Sequence, residues 1–116
     1  SIEAVLPKEI AMSETELCTL LSNALENAIT AAKQLPDEHK RTVRFVCKTE
    51  DSKLILLVQN LCFKEVKFEN GLPKAEQEGH GFGVKSMMAI VEKYHGLCTF
   101  TQRNGLFILR IILPLQ

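Results

Sequence analysis

Two amphipathic helical runs, each followed by a pair of strand-like segments, constrain the fold of this chain more than any other feature. The first, Leu17–Ala32, reads LCTLLSNALENAITAA. At roughly 100° per residue, Leu17, Leu20, Leu21, Ala24, Leu25, Ala28 and Ala32 share one broad face. Thr19, Ser22, Asn23, Glu26, Asn27 and Thr30 fall on the other. Ser13 with Glu16 fits a capping box, so the helix starts near Glu14; it runs to about Leu35, before Pro36 and Asp37. The second run is Gly83–His95, with Val84, Met87, Met88, Ile90, Val91 and Tyr94 on its apolar face and Gly96 as a stop. Thr42–Lys48 and Leu54–Val58 pair as a hairpin about Asp51–Ser52, and Leu97–Thr101 and Leu106–Leu113 as another about Asn104–Gly105. Ile2–Leu6, closed by Pro7, suits an edge strand. The order β-α-β-β-loop-α-β-β predicts an α+β two-layer sandwich, a mixed sheet with its helices on one face.

The length of 116 residues, 46% of them hydrophobic, suits a single domain spanning the whole chain, residues 1–116. Fourteen basic residues balance fourteen acidic ones without a basic stripe, which argues against nucleic-acid binding. No apolar run approaches the ~20 residues that span a bilayer, and no signal peptide is visible. Cys18, Cys47, Cys62 and Cys98 lack metal-ligand spacing and sit in or beside apolar runs. They read as buried free thiols of a reducing, cytoplasmic compartment. His95 borders the apolar face of the second helix and reads as a packing residue.

Between Leu61 and Gly79 periodicity fades. Phe63, Val66 and Phe68 alternate with charged residues and suggest a short strand; Asn70-Gly71 is a turn signal, and Lys74–Glu78 is charged. A structureless segment of this length within a domain is often functional. It leads into Gly79-His80-Gly81-Phe82-Gly83-Val84-Lys85-Ser86. Glycine admits positive φ and close ligand approach. A helix start offers unpaired N–H groups and partial positive charge. The combination suits a phosphate. Asn23 and Asn27, four apart, stack on one helix face. An Asn amide oxygen is a neutral ligand suited to Mg²⁺, which takes other oxygens from phosphates and water.

In this wording the NALENAI segment resembles the N box of the GHKL superfamily, the Bergerat-fold ATP-binding domain of histidine kinases, gyrase and MutL. GHGFGVKS resembles that family's second glycine box, about fifty residues downstream. These boxes, with the YHG that closes the later helix, look most like sensor histidine kinases of the quorum-sensing peptide-receptor type. The resemblance covers nearly the whole chain. It implies ATP and Mg²⁺ as ligands, Asn27 as the metal-binding Asn, an ATP lid at about residues 61–80, and phosphates lined by Gly79, Gly81 and Gly83 within a nucleotide-binding segment that includes Phe82 and Val84. Lys85 either reaches a phosphate oxygen or is a solvated lysine, and His80 either contacts phosphate or is an exposed loop histidine. Asn23 occupies the position that carries a general-base Glu in the hydrolysing branches. An amide accepts no proton usefully at neutral pH, which favours a histidine kinase over an ATPase.

One departure concerns the adenine box. Most histidine kinases carry Asp-x-Gly-x-Gly after the second hairpin strand. Here Gln59-Asn60-Leu61-Cys62-Phe63 stands in its place, so Asn60 falls where the Asp would be and both glycines are missing. An uncharged acceptor bonds the adenine amino group less strongly, so weak ATP binding is expected. No segment resembles a phosphoacceptor helix. The resemblance therefore implies partners elsewhere: a histidine-bearing dimerisation domain of the same or a sister chain, and a response regulator. The fragment spans no membrane, its parent protein belongs in the cell membrane, and the isolated domain does not phosphorylate itself. A degenerate pseudokinase that senses nucleotide or docks a protein is the alternative.

Overall fold

The computed structural model describes residues 1–5, 12–74 and 82–115. The chain forms β1 (Ile2–Ala4), α1 (Glu14–Lys33), a 3₁₀ turn (Glu38–Lys40), β2 (Val43–Glu50), β3 (Lys53–Leu61), β4 (Phe68–Glu69), β5 (Leu72–Pro73), α2 (Phe82–Lys93), β6 (Leu97–Arg103) and β7 (Leu106–Pro114). Five strands make one sheet in the order β1-β2-β3-β7-β6. β1 runs parallel to β2 and the remaining pairs are antiparallel, so the sheet is mixed. The predicted α+β sandwich is the observed fold.

Strand alternation sets the layers. Leu54, Leu56, Val58 and Asn60 of β3 are buried, and Ile55, Leu57 and Gln59 between them are half-buried. The buried set pairs in register with Phe45 and Cys47 of β2 and with Phe107, Leu109, Ile111 and Leu113 of β7. Successive side chains of a strand point to opposite faces, so these residues share one side. Against it lie Leu20, Ala24 and Ala28 of α1 and Met87 and Val91 of α2. Small alanines let α1 sit close to the strands. Leu20, Leu54, Leu56, Met87, Ile111 and Leu113 are fully buried, each contributing about 1.5–3 kcal/mol relative to exposure.

The capping box at Ser13 forms as expected: Glu16 N donates to Ser13 Oγ at 3.1 Å, and Ser13 N donates back to Glu16 Oε1 at 3.3 Å. All three hairpin turns, Asp51-Ser52, Asn70-Gly71 and Asn104-Gly105, place both central residues at positive φ. That geometry matches the right-handed twist of the flanking strands.

Three expectations change. The strand suggested by Phe63, Val66 and Phe68 does not form over that stretch; pairing begins only at Phe68–Glu69 with Leu72–Pro73. Its apolar positions are not evenly spaced by two, so no single face repeats. Cys18 is exposed, Cys62 and Cys98 half-buried, and only Cys47 buried, although all four are free thiols. His95 is exposed rather than a packing residue; it holds φ 58° as the left-handed residue ending α2. His95 N bonds Glu92 O at 3.1 Å and Gly96 N bonds Val91 O at 2.8 Å, a Schellman cap displaced one residue from the expected glycine.

Candidate functional site

Asn23 and Asn27 stand one turn apart on α1, both half-buried. Ala24 and Ala28, their neighbours in sequence, are buried against the sheet. The helix thus presents its two amides beside its core stripe, with Asn23 on the flank that borders α2. Gly83, the second residue of α2, meets this flank. A methyl added to it would lie 3.4 Å from the Asn23 Oδ1 and 3.7 Å from the amide carbon. The start of α2 and the polar flank of α1 therefore meet at Gly83 and Asn23. The first turn of α2 carries N–H groups without intrahelical partners and the positive end of its dipole. Asn23 also lines an open groove of about 540 Å³ with Cys18, Ser22 and Glu26.

Val84 is half-buried and packs on the core, while Lys85 is exposed. Among the described residues Lys85 has no ion-pair partner. Gly79, His80 and Gly81 lie outside the described residues, as does the side chain of Phe82.

Asn60 is the one buried polar residue among the described ones, 3% exposed. It sits near the end of β3, on the helix-facing side, between Val43 and Phe107 of the neighbouring strands. Its Nδ2 donates to Leu61 O at 3.1 Å, and its amide oxygen makes no hydrogen bond to the described residues. Phe107 flanks it, stacked against Phe68 at 6.3 Å between ring centroids. The sequence placed Phe107 in a strand and gave no sign of this neighbour relation, which arises from long-range strand register.

A second cluster joins the far ends of the helices. Lys93 Nζ pairs with Glu16 Oε2 at 2.8 Å, and the Tyr94 hydroxyl donates to Glu16 Oε1. The Lys93 bond first, and the Tyr94 bond after it, hold the Glu16 carboxyl down at about 2. The same carboxylate raises Tyr94 and Lys93. Only the capping half of this cluster was visible in the sequence.

The donor set decides how a metal could be held. No group of three His, Cys, Asp or Glu side chains among the described residues converges on a point. Asn27 supplies one neutral oxygen. Such a site suits a magnesium ion that brings phosphate and water ligands with it, and not an ion caged by protein.

A family model described as a GHKL domain matches residues 12–114. The chain belongs to this family: it is a GHKL ATP-binding domain. Its fold is that of histidine kinase catalytic domains. The structure of histidine kinase AdeS from Acinetobacter baumannii superposes with a TM-score of 0.67 at 12% identity, covering 100% of this chain and 53% of that one. The nucleotide-free catalytic domain of histidine kinase ThkA gives 0.73 at 17% identity, covering 98% and 76%. The histidine kinase domain of the blue-light activated kinase EL346 from Erythrobacter litoralis gives 0.65 at 21%, covering 98% and 53%. The chain thus spans about half the length of two of these structures. No curated protein sequence matches it. No helix among the described residues is long and apolar enough to cross a membrane.

Proposed function

We propose that this chain is the catalytic domain of a two-component sensor histidine kinase. It passes the γ-phosphoryl group of ATP to a histidine on a dimerisation domain of the same or a sister chain, from which a response-regulator aspartate receives it. The approach of Gly83 to Asn23 carries this reading, because it brings a dipole-charged helix start against an amide-bearing helix face. In this assignment Asn27 holds Mg²⁺, which neutralises phosphate charge when bound. Gly79, His80, Gly81, Phe82 and Gly83 line the phosphates, Val84 seats the helix start, and Lys85 reaches a phosphate oxygen. Asn60 accepts from the adenine amino group, and residues 61–80 form the lid. The parent protein is a membrane receptor of the peptide-sensing type.

Phosphoryl transfer makes modest covalent demands on the protein; positioning and charge neutralisation dominate. The bond from the γ-phosphorus to the bridging oxygen breaks, a bond to an imidazole nitrogen forms, and ADP leaves. Imidazole is already a competent nucleophile. The neutral amide of Asn23 activates no water, so the chemistry favours transfer over hydrolysis.

A second reading, a pseudokinase that docks a partner, is favoured by the uncharged Asn60 where a carboxylate would bind adenine more strongly. Calorimetry with ATP, ADP and GTP, with and without Mg²⁺, separates the two. The kinase reading expects Mg-dependent ATP binding with a dissociation constant weaker than about 1 μM, or roughly −8 kcal/mol. It also expects phosphorylation of a supplied dimerisation-helix fragment. Absence of any nucleotide binding would leave the docking reading in its place.

A further inference from the structure

We propose that Gln102 is a positioning residue for the nucleotide, holding the stem of the lid in its binding conformation. The inference rests on the ATP-binding reading above. After Leu61 the chain leaves β3 and runs to Phe68 without ladder pairing. Backbone polar groups in such a stretch need other partners. A single side chain supplies three of them. Gln102 Nε2 donates to Cys62 O at 3.0 Å and to Lys64 O at 2.7 Å, and Val66 N donates to Gln102 Oε1 at 2.9 Å. Both donor hydrogens and the acceptor of one amide are used, so the amide plane stands in for a missing strand. The reverse orientation of the amide would press its oxygen against two carbonyls.

The same β6–β7 hairpin grips the stem twice more. Cys62 N donates to Gly105 O at 2.8 Å. The Phe63 ring lies on Gly105 so closely that a Cβ there would come within 2.6 Å of it. Downstream, Phe68 stacks on Phe107, the β7 partner of Asn60. The stem therefore begins two residues after the candidate adenine acceptor and ends on that acceptor's neighbour. A stem free to wander would have to be ordered each time a base settled against Asn60, and that ordering opposes binding. Gln102 removes the need by fixing the stem beforehand.

The test compares wild type with Gln102→Ala and Gln102→Glu; the latter keeps the size and sets a carboxylate against two carbonyls. Mg-ATP affinity is measured by calorimetry, steady-state phosphorylation of a dimerisation-helix fragment gives KM and kcat, and hydrogen exchange follows the Val66 amide. The expected result is faster exchange at Val66, with Kd and KM for ATP raised about tenfold and kcat within about twofold of wild type. A residue that only stabilised the fold would lower the melting temperature and the active fraction without moving Kd. Variants that bind Mg-ATP as tightly as wild type would overturn the positioning role while leaving the kinase reading intact. A wild type that binds no nucleotide would overturn both, and faster Val66 exchange in the variants would then mark a purely structural clamp.

Discussion

At Gly96 one absent methyl group decides how α2 meets the sheet. A Cβ there would lie 2.6 Å from Ile112 O and 2.6 Å from Leu113 Cδ2. A backbone carbonyl in a central ladder cannot step aside, so overpacking is relieved only by shifting the helix end. Gly96→Ala is expected to cost about 1–3 kcal/mol, read as a lower midpoint in chemical denaturation with an unchanged slope. Asn27 is the opposite kind of residue, a half-buried amide outside the hydrophobic core. Asn27→Asp keeps the shape and adds a charge beside the proposed metal position. Stability is expected to stay within about 1 kcal/mol, while autophosphorylation of the full-length kinase drops about tenfold or more. Unchanged Mg dependence of ATP binding in that variant would remove Asn27 from the site. Asparagine in a helix has ordinary surface uses, so its chemistry became readable only with Asn23 and the distant glycines beside it. Gln102, by contrast, sits in a strand pattern like any polar strand residue, and nothing local betrays its three bonds to a segment 36–40 positions away.

At the scale of elements, α1 carries two faces with separate tasks. Its alanine and leucine stripe seals the core, and Asn23 on its polar flank meets the start of α2. Glu16 links the tasks: it caps α1 and anchors the last turn of α2 through Lys93 and Tyr94. Its carboxyl is held down at about 2, first by the Lys93 bond, against an ordinary value of 4.5. A carboxyl lowered in the folded state binds fewer protons there than when unfolded, so its contribution is present above its unfolded value. That contribution is complete above about 4.5 and disappears as pH falls towards about 2. Glu16→Gln is therefore expected to be less stable than wild type at neutral pH, with the gap closing across that acid window in thermal melts. A constant gap at all pH values would show that the carboxylate charge is irrelevant. The helices and hairpins themselves were legible because each depends on neighbours a few residues away: a cap, a 3.6-residue period, a tight turn. The segment from Phe63 to Val66 was not, because its backbone is satisfied by a side chain from another hairpin.

Across the whole molecule, the decisive event is the union of two local hairpins. β3 pairs with β7 along its full length, Lys53 opposite Pro114 through Leu61 opposite Leu106. This pairing makes one sheet of two, sets α1 and α2 side by side on it, and brings Gly83 against Asn23. The same register puts Phe107 beside Asn60. The parallel seat of β1 on β2 belongs to this level too, since the sequence marked an edge strand without indicating its direction.

The amino-acid pattern alone determined the two long helices, the paired strands of the two main hairpins and the family the chain belongs to. Those follow from short-range periodicity and from motifs written in consecutive letters. Tertiary structure decided that Asn23 meets the second helix, which carboxylate ties the helices together, and how the segment after β3 is held. Those depend on strand register between segments some fifty residues apart, where apolar residues of similar size satisfy many pairings until the whole sheet selects one.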